Sequence, residues 1–139
     1  YAVFTKQTSG KHTYDIWIRF ASVTGTGAHD FLIFSDGIFN YGGNNWATFI
    51  ARDDAALHVY SGSTWTSLGS VFSIDTWHHV EVELNMDANT FNVWVDLTQK
   101  GTNVAFQNNI DPDRVTISDN TDSTNRWTDS LEIYTGARQ

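Results

Sequence analysis

Side chains that could together bind a sugar alternate with apolar residues in two separate segments of this sequence. In the first segment, Trp17 and Arg19 flank Ile18. In the second, residues of suitable type recur at every other position between residues 77 and 97. Sugars present C–H faces that lie against aromatic rings, and hydroxyl groups that hydrogen-bond to carboxylate, amide and guanidinium groups. The pattern predicts a ligand-binding surface formed by Trp17, Arg19, His79, Glu81, Glu83, Asn92 and Trp94.

Residues 77–97 must form a β-hairpin if these side chains are to share a surface. Apolar residues occupy alternate positions on both sides of a polar segment that contains Asn85, Asp87 and Asn89, which is typical of two half-buried strands and a turn. One register sets every apolar residue opposite another: Leu84 with Phe91, Val82 with Val93, and Val80 with Val95. The same register predicts three pairs on the other face: Glu83 with Asn92, Glu81 with Trp94, and His79 with Asp96.

The rest of the 139 residues predicts one all-β domain. Residues 14–21 alternate like the hairpin, with Trp17 and Arg19 on the polar face. Further short segments read as strands: 31–34, 47–52, 57–60, 65–68, 104–106, 114–118 and 127–134. Residues 39–46 are expected to form an exposed loop that carries Tyr41 and Trp46, and Lys100-Gly101 is expected to be a turn. About eight to eleven short strands without an intervening helix predict a two-sheet sandwich or a barrel.

Composition excludes several classes of function. Eight Lys and Arg against sixteen Asp and Glu give a formal charge of −8, so a nucleic-acid partner is not expected. Cysteine is absent, which excludes disulfides and thiolate metal sites. No apolar run reaches the roughly 18 residues of a membrane span, so no membrane partner is expected. A zinc site built from His78 and His79 is not expected, because neighbours on a strand point to opposite faces.

The hairpin and the last predicted strand resemble those of laminin-G-like and other concanavalin A-like jelly rolls. In that superfamily a Trp-His strand, here beginning at Trp77, pairs with a strand ending in an aromatic-x-Val-Asp element, here Trp94-Val95-Asp96. Residues 129–134 resemble the closing strand, which returns beside the first. The resemblance implies a two-sheet antiparallel jelly roll and a non-catalytic carbohydrate-binding module. It would be bacterial and extracellular, would bind a polysaccharide or oligosaccharide, and would belong to a larger multidomain enzyme.

Calcium is the cofactor that the resemblance implies. Members often hold a structural calcium between an early loop and the last strand, and Asp129 matches the last-strand position. Oxygen ligands also cluster in residues 119–125 and at Asp111 and Asp113, although ordinary Asx turns give the same pattern. The family pattern has Gly after the final Asp of the hairpin. This chain has Leu97 there, which predicts a longer turn.

Two other function classes stay open. One is a glycoside hydrolase: glucanases of the superfamily carry Glu-x-Asp-x-x-Glu on one strand, whereas this chain has Glu81-x-Glu83 and then Met86, so Glu81 and Glu83 would have to act alone. The Gln-x-His tripeptide of jelly-roll polysaccharide lyases does not occur. An adhesion or spacer module of laminin-G type would bury the tryptophans and bind no glycan. The sequence also leaves open which sheet carries the hairpin, and binding by loops at Trp46, Trp65 and Trp127 is the alternative.

Overall fold

The computed structural model of the chain describes residues 1–20, 29–40, 43–53, 55–61, 63–117 and 126–135. These residues form eleven β-strands: β1 (Ala2–Val3), β2 (Lys11–Phe20), β3 (His29–Ser35), β4 (Trp46–Asp53), β5 (Ala56–Ser61), β6 (Thr64–Ser70), β7 (Trp77–Asn85), β8 (Thr90–Val95), β9 (Thr98–Ala105), β10 (Arg114–Thr116) and β11 (Arg126–Thr135). No helix that could cross a membrane is present among the residues described.

The strands form two antiparallel sheets that pack face to face. One sheet has six strands in the order β1-β10-β3-β4-β5-β6, and the other has five in the order β11-β2-β7-β8-β9. The closing strand β11 pairs with β2, the first long strand, as the resemblance implied. The prediction of an all-β, two-sheet antiparallel sandwich is therefore confirmed.

The apolar faces of both sheets meet in one core. Alternate residues of β2 and β7 are fully buried, and so are those of the central strand β3 in the opposite sheet. Tyr14 of β2 meets Phe34 of β3 edge to face, with ring centroids 4.8 Å apart. Because one face of the five-stranded sheet is used in this way, the side chains between the core positions must point to its other face.

The β7–β8 hairpin has the predicted register. Leu84 lies opposite Phe91, Val82 opposite Val93, and Val80 opposite Val95. On the other face, Glu83 pairs with Asn92 and Glu81 with Trp94. His79 and Asp96 also lie opposite each other, since the backbone N–H of Asp96 donates to the carbonyl of His79, but Asp96 lies beyond the end of β8. Its carboxylate accepts the backbone N–H of His79 and the Nδ1–H of His78.

The connection from β8 to β9 is tighter than the sequence predicted. Asp96 and Leu97 alone separate the two strands, and their φ angles are 50° and 65°. Two consecutive residues with positive φ are typical of a type I′ hairpin turn. The expected longer turn is wrong, and so is the turn at Lys100-Gly101, because both residues lie inside β9. Gly101 serves close packing instead: a Cβ there would lie 3.0 Å from Val93 and 3.1 Å from Leu68.

The expected exposed loop at residues 39–46 is also different in the structure. Trp46 begins β4 and is buried, and its indole N–H donates to the carbonyl of Gly43 at 2.9 Å. It packs with Ile33 and Tyr60 on the outer side of the six-stranded sheet. The predictions for Tyr41 and for residues 119–125 fall outside the described residues.

Candidate functional site

The predicted ligand-binding residues do share one surface, the side of the five-stranded sheet that faces away from the core. We call it the outer face. It is formed by Lys11, Asp15, Trp17 and Arg19 of β2, Trp77, His79, Glu81 and Glu83 of β7, and Asn92 and Trp94 of β8. The strands place these side chains in cross-strand rows, because β2, β7 and β8 are hydrogen-bonded neighbours. The rows differ in exposure, and exposure decides which residues can reach a ligand.

Two tryptophans and an arginine form the accessible end of the outer face. Trp17 is 44% exposed and Trp77 is 39% exposed. Trp17 lies opposite His79, and Arg19 lies opposite Trp77. Trp17 and Trp77 are therefore diagonal neighbours, and such positions lie about 7 Å apart on a sheet. Arg19 is part of the same group, and its Nη2 donates to Asp75 Oδ1 at 3.1 Å.

Trp77 is a site residue that sequence reasoning missed. It lies two positions before His79 and so belongs to the same face of β7. The alternation that selected His79, Glu81 and Glu83 would have selected it too. The signal is weak there, because Trp77 begins the strand and only one alternating polar position, His79, lies next to it on that face.

The middle of the outer face holds a histidine between two carboxylates. The His79 ring stacks on Trp17, with centroids 5.0 Å apart and an angle of 26° between the planes. His79 Nε2 is hydrogen-bonded to Asp15 Oδ1. Asp15 lies opposite Glu81, which is buried. Asp15 shares the polar face of β2 with Trp17, as the alternation predicts, but it was not among the predicted ligand-binding residues.

The far end of the outer face is committed to structural contacts. Glu83 is buried, and its Oε1 accepts hydrogen bonds from Lys11 Nζ at 2.9 Å and Asn92 Nδ2 at 3.0 Å. Asn92 Oδ1 in turn accepts the backbone N–H of Asn103 at 2.7 Å. These contacts tie β2, β7, β8 and β9 together. Glu83 and Asn92 therefore hold the sheet, and their named polar atoms already have partners there.

Trp94 is on the outer face but is not an exposed platform. It retains 9% of its surface, whereas the sequence analysis expected an accessible ring. Trp94 lies in the strand between β7 and β9 and is paired with Glu81 on one side and Gln99 on the other. Neighbours on both sides cover a residue in such a strand. The expectation of an exposed indole at this position is wrong.

His78 lies on the opposite side of β7 from His79, as the argument against a zinc site from this pair required. Its ring packs edge to face on Phe72, at 5.4 Å between centroids. The backbone N–H of Ser73 donates to His78 Nε2 at 3.0 Å, so that nitrogen carries no proton. The proton of the neutral ring is then on Nδ1, which donates to Asp96 Oδ2 at 2.7 Å.

The candidate calcium ligands lie in different settings. Asp129 belongs to β11, where its backbone pairs with that of Trp17, and its side chain is outside the described residues, so calcium there stays a prediction. Asp113 Oδ1 accepts the backbone N–H of Gly37 at 2.9 Å, as in an ordinary loop bond. The hydrogen bond with Asp36 raises the pKa of the Lys6 ammonium, and the charges of Asp111 and Asp113 act in the same direction. The salt bridge of Lys6 itself is made with Asp36, at 2.8 Å.

The other sheet carries one further exposed tryptophan. Trp65 of β6 is 39% exposed and meets Tyr60 edge to face at 5.1 Å between ring centroids. Tyr60 meets the buried Trp46 in the same way at 5.4 Å. Since these rings are steeply tilted to one another, they pack as a cluster and do not form a flat strip. Trp127 lies in β11, and its side chain is outside the described residues.

Comparisons with known proteins identify the fold. Neither a family model nor a curated protein matches the sequence. Among solved structures, the chain is similar to a cellulose-induced protein, Cip1, at 17% identity and a TM-score of 0.65, covering 95% of this chain and 72% of that one. A mutant Trypanosoma rangeli sialidase displaying trans-sialidase activity is 12% identical, with a TM-score of 0.68 and coverage of 94% and 21%.

A botulinum neurotoxin type C structure is also similar, at 16% identity and a TM-score of 0.63, covering 96% of this chain and 34% of that chain. The description of that structure states that cell entry of the toxin depends on two ganglioside molecules. The chain thus spans about a third or less of the toxin and sialidase structures. Together these likenesses confirm the jelly-roll β-sandwich that the hairpin resemblance implied.

Proposed function

We propose that this chain is a non-catalytic carbohydrate-binding module that binds a polysaccharide at the exposed end of the outer face. The observation that carries the proposal is the pair of diagonal, partly exposed indoles of Trp17 and Trp77 beside the guanidinium of Arg19. Indole faces bind the C–H faces of sugar rings, and a guanidinium donates to hydroxyl groups. The ganglioside dependence described for one structural neighbour is consistent with a sugar ligand.

The contacts of Glu83 favour binding over catalysis. A glycosidase of this fold would need a nucleophile and an acid facing the same sugar. Glu83 is buried and accepts hydrogen bonds from Lys11 and Asn92, which holds its carboxylate in a charged, structural role. Glu81 would then lack a second catalytic carboxylate on the same strand. Release of reducing ends from a bound polysaccharide would support the glycosidase alternative.

Charge on the outer face favours neutral glycans over uronates. Asp15, Glu81 and Glu83 bring three carboxylates to the face, against the cations Lys11 and Arg19. An acidic sugar would be repelled from most of the face. The proposal places the module outside the cell, in a bacterial enzyme with further domains, and includes a structural calcium bound through Asp129. Calcium added to chelator-treated protein should raise the Tm of the wild type and not of Asp129→Asn.

The test is affinity electrophoresis against a panel of glucans, xylans and algal polysaccharides, with Trp17→Ala and Trp77→Ala. A stacking contact contributes about 1 kcal/mol, so each variant should weaken binding about fivefold, and the double variant should not be retarded. Trp65→Ala is the matched control, because Trp65 is as exposed as Trp77 but lies on the other sheet. Loss of binding in Trp65→Ala alone would move the site to the six-stranded sheet. No retardation of the wild type by any glycan would favour the adhesion or spacer module.

A further inference from the structure

Three metal-ligating side chains converge in the middle of the outer face. Asp15 projects from β2, and His79 and Glu81 project from β7. Each offers one ligand atom, and the three atoms all lie within 4.8 Å of one another. Asp15 is directly opposite Glu81, and Trp17 is directly opposite His79. The pairing of two neighbouring strands therefore brings the ligands together, and strands hold such a group more precisely than loops do.

The geometry of the histidine suits a metal ligand. Stacking on Trp17 sets the plane of the His79 ring, and its Nε2 points at Asp15. A zinc ion at about 2.1 Å from a nitrogen and an oxygen in tetrahedral geometry needs those two atoms about 3.4 Å apart. Metal binding would therefore have to move His79 Nε2 and Asp15 Oδ1 from hydrogen-bond contact to about 3.4 Å apart. The widest separation in the group must shorten by up to about 1.4 Å, which side-chain rotation can supply.

The charges around the group also favour a cation. Lys11 forms its salt bridge with Glu83, and Arg19 forms its salt bridge with Asp75. Asp15 and Glu81 lie in the row between those two cations, and Glu81 is buried. An ionised carboxylate loses hydration when it is buried, and a metal ion compensates that loss at short range.

We infer that Asp15, His79 and Glu81 bind a divalent first-row transition ion of the zinc class. Calcium prefers six to eight oxygen ligands, whereas zinc accepts an imidazole nitrogen together with carboxylate oxygens. Three protein ligands leave a coordination position open to water. The inference does not depend on glycan binding at Trp17 and Trp77, and its test measures metal alone. It also differs from the His78–His79 pair that the sequence analysis excluded, because its ligands come from one face of two strands.

The test is a zinc titration of the untagged, chelator-treated chain by calorimetry. The wild type should bind one zinc ion, and His79→Ala and Glu81→Gln should each weaken binding at least tenfold. Gln keeps the shape of Glu at a buried position, so Glu81→Gln separates loss of a ligand from loss of folding. His58→Ala is the matched control, since His58 lies in β5 of the other sheet, and it should bind zinc within twofold of the wild type.

A second readout reports where the metal sits. Co²⁺ or Cu²⁺ held by His79 lies close to the stacked Trp17 ring and to Trp94 opposite Glu81, so it should quench tryptophan fluorescence, and this quenching should be lost in His79→Ala. Equal zinc affinity in the wild type and Glu81→Gln would overturn the inference. So would displacement of zinc by a tenfold excess of calcium, or quenching by one equivalent of the metal that survives in His79→Ala.

Discussion

Replacing Leu97 by glycine should stabilise the protein. Leu97 is the second residue of the two-residue turn between β8 and β9, with φ at 65°, and its side chain is 72% exposed. A left-handed backbone costs a residue with a Cβ about 1–2 kcal/mol, and glycine avoids that cost. Glycine loses more conformational entropy on folding, which offsets about 0.5–1 kcal/mol. Little apolar burial is lost at so exposed a position.

The net gain in the free energy of unfolding is therefore about 0.5–1 kcal/mol, or a rise in Tm of about 2–4 °C for a chain of this size. Thermal unfolding followed by circular dichroism measures it. Asp96→Gly is the informative control, because Asp96 has a similar φ of 50° but its carboxylate accepts hydrogen bonds from His78 and His79. That variant should be destabilised by about 1–2 kcal/mol. An unchanged or lower Tm for Leu97→Gly would refute the reasoning from backbone strain.

Three further substitutions test the core and the sheet. Tyr14→Phe should leave stability unchanged or raise it by up to about 1 kcal/mol in urea denaturation, because the buried Tyr14 hydroxyl has no hydrogen-bond partner among the described residues. Burial raises the pKa of Tyr14 above its ordinary value of 10.0, so above about pH 10 the hydroxyl loses its proton in the unfolded state while the folded state keeps it. The stability of the wild type should therefore fall above about pH 10, and that of Tyr14→Phe should fall less steeply. Gly101→Ala should cost about 1–3 kcal/mol by the same assay, since the added Cβ would lie 3.0–3.2 Å from three side chains, and a neutral result would show that they yield freely. Lys11→Met should lower the free energy of unfolding by about 1 kcal/mol, because it removes the partner of buried Glu83. Adding Glu83→Gln should recover most of this loss, and additive losses in the double variant would show that Lys11 and Glu83 are not coupled.

Alternation between apolar and polar residues was enough to predict the register of the β7–β8 hairpin, although the second strand ends at Val95 and not at Leu97. A one-residue slip would have placed two glutamates in the core, so burial leaves a single register. The same argument put Trp17, Arg19 and the polar residues of the hairpin on one surface. The alternation did not show which of these side chains are exposed to solvent and which are covered. Trp94 is covered because its strand lies between two others, and strand order depends on pairings between distant segments.

Local turn signals were the less reliable guide. The sequence pattern predicts a turn at Gly101, but this residue lies within β9, where Val93 and Leu68 leave little room for a Cβ. The actual turn contains Leu97, a residue that turn statistics disfavour, and Asp96 holds it through bonds to His78 and His79. The set of Asp15, His79 and Glu81 was equally hidden, since β2 and β7 are more than fifty residues apart in sequence and their register was unknown.

The pairing of β11 with β2 has a consequence for the order of folding. The β7–β8–β9 meander joins segments that are close in sequence, so it can form early from local contacts. Strand β2 has one neighbour that begins at residue 77 and another that begins at residue 126. During synthesis, one edge of β2 stays unpaired until β11 has left the ribosome. We expect the protein to fold slowly for its size, with closure of this sheet as a late step.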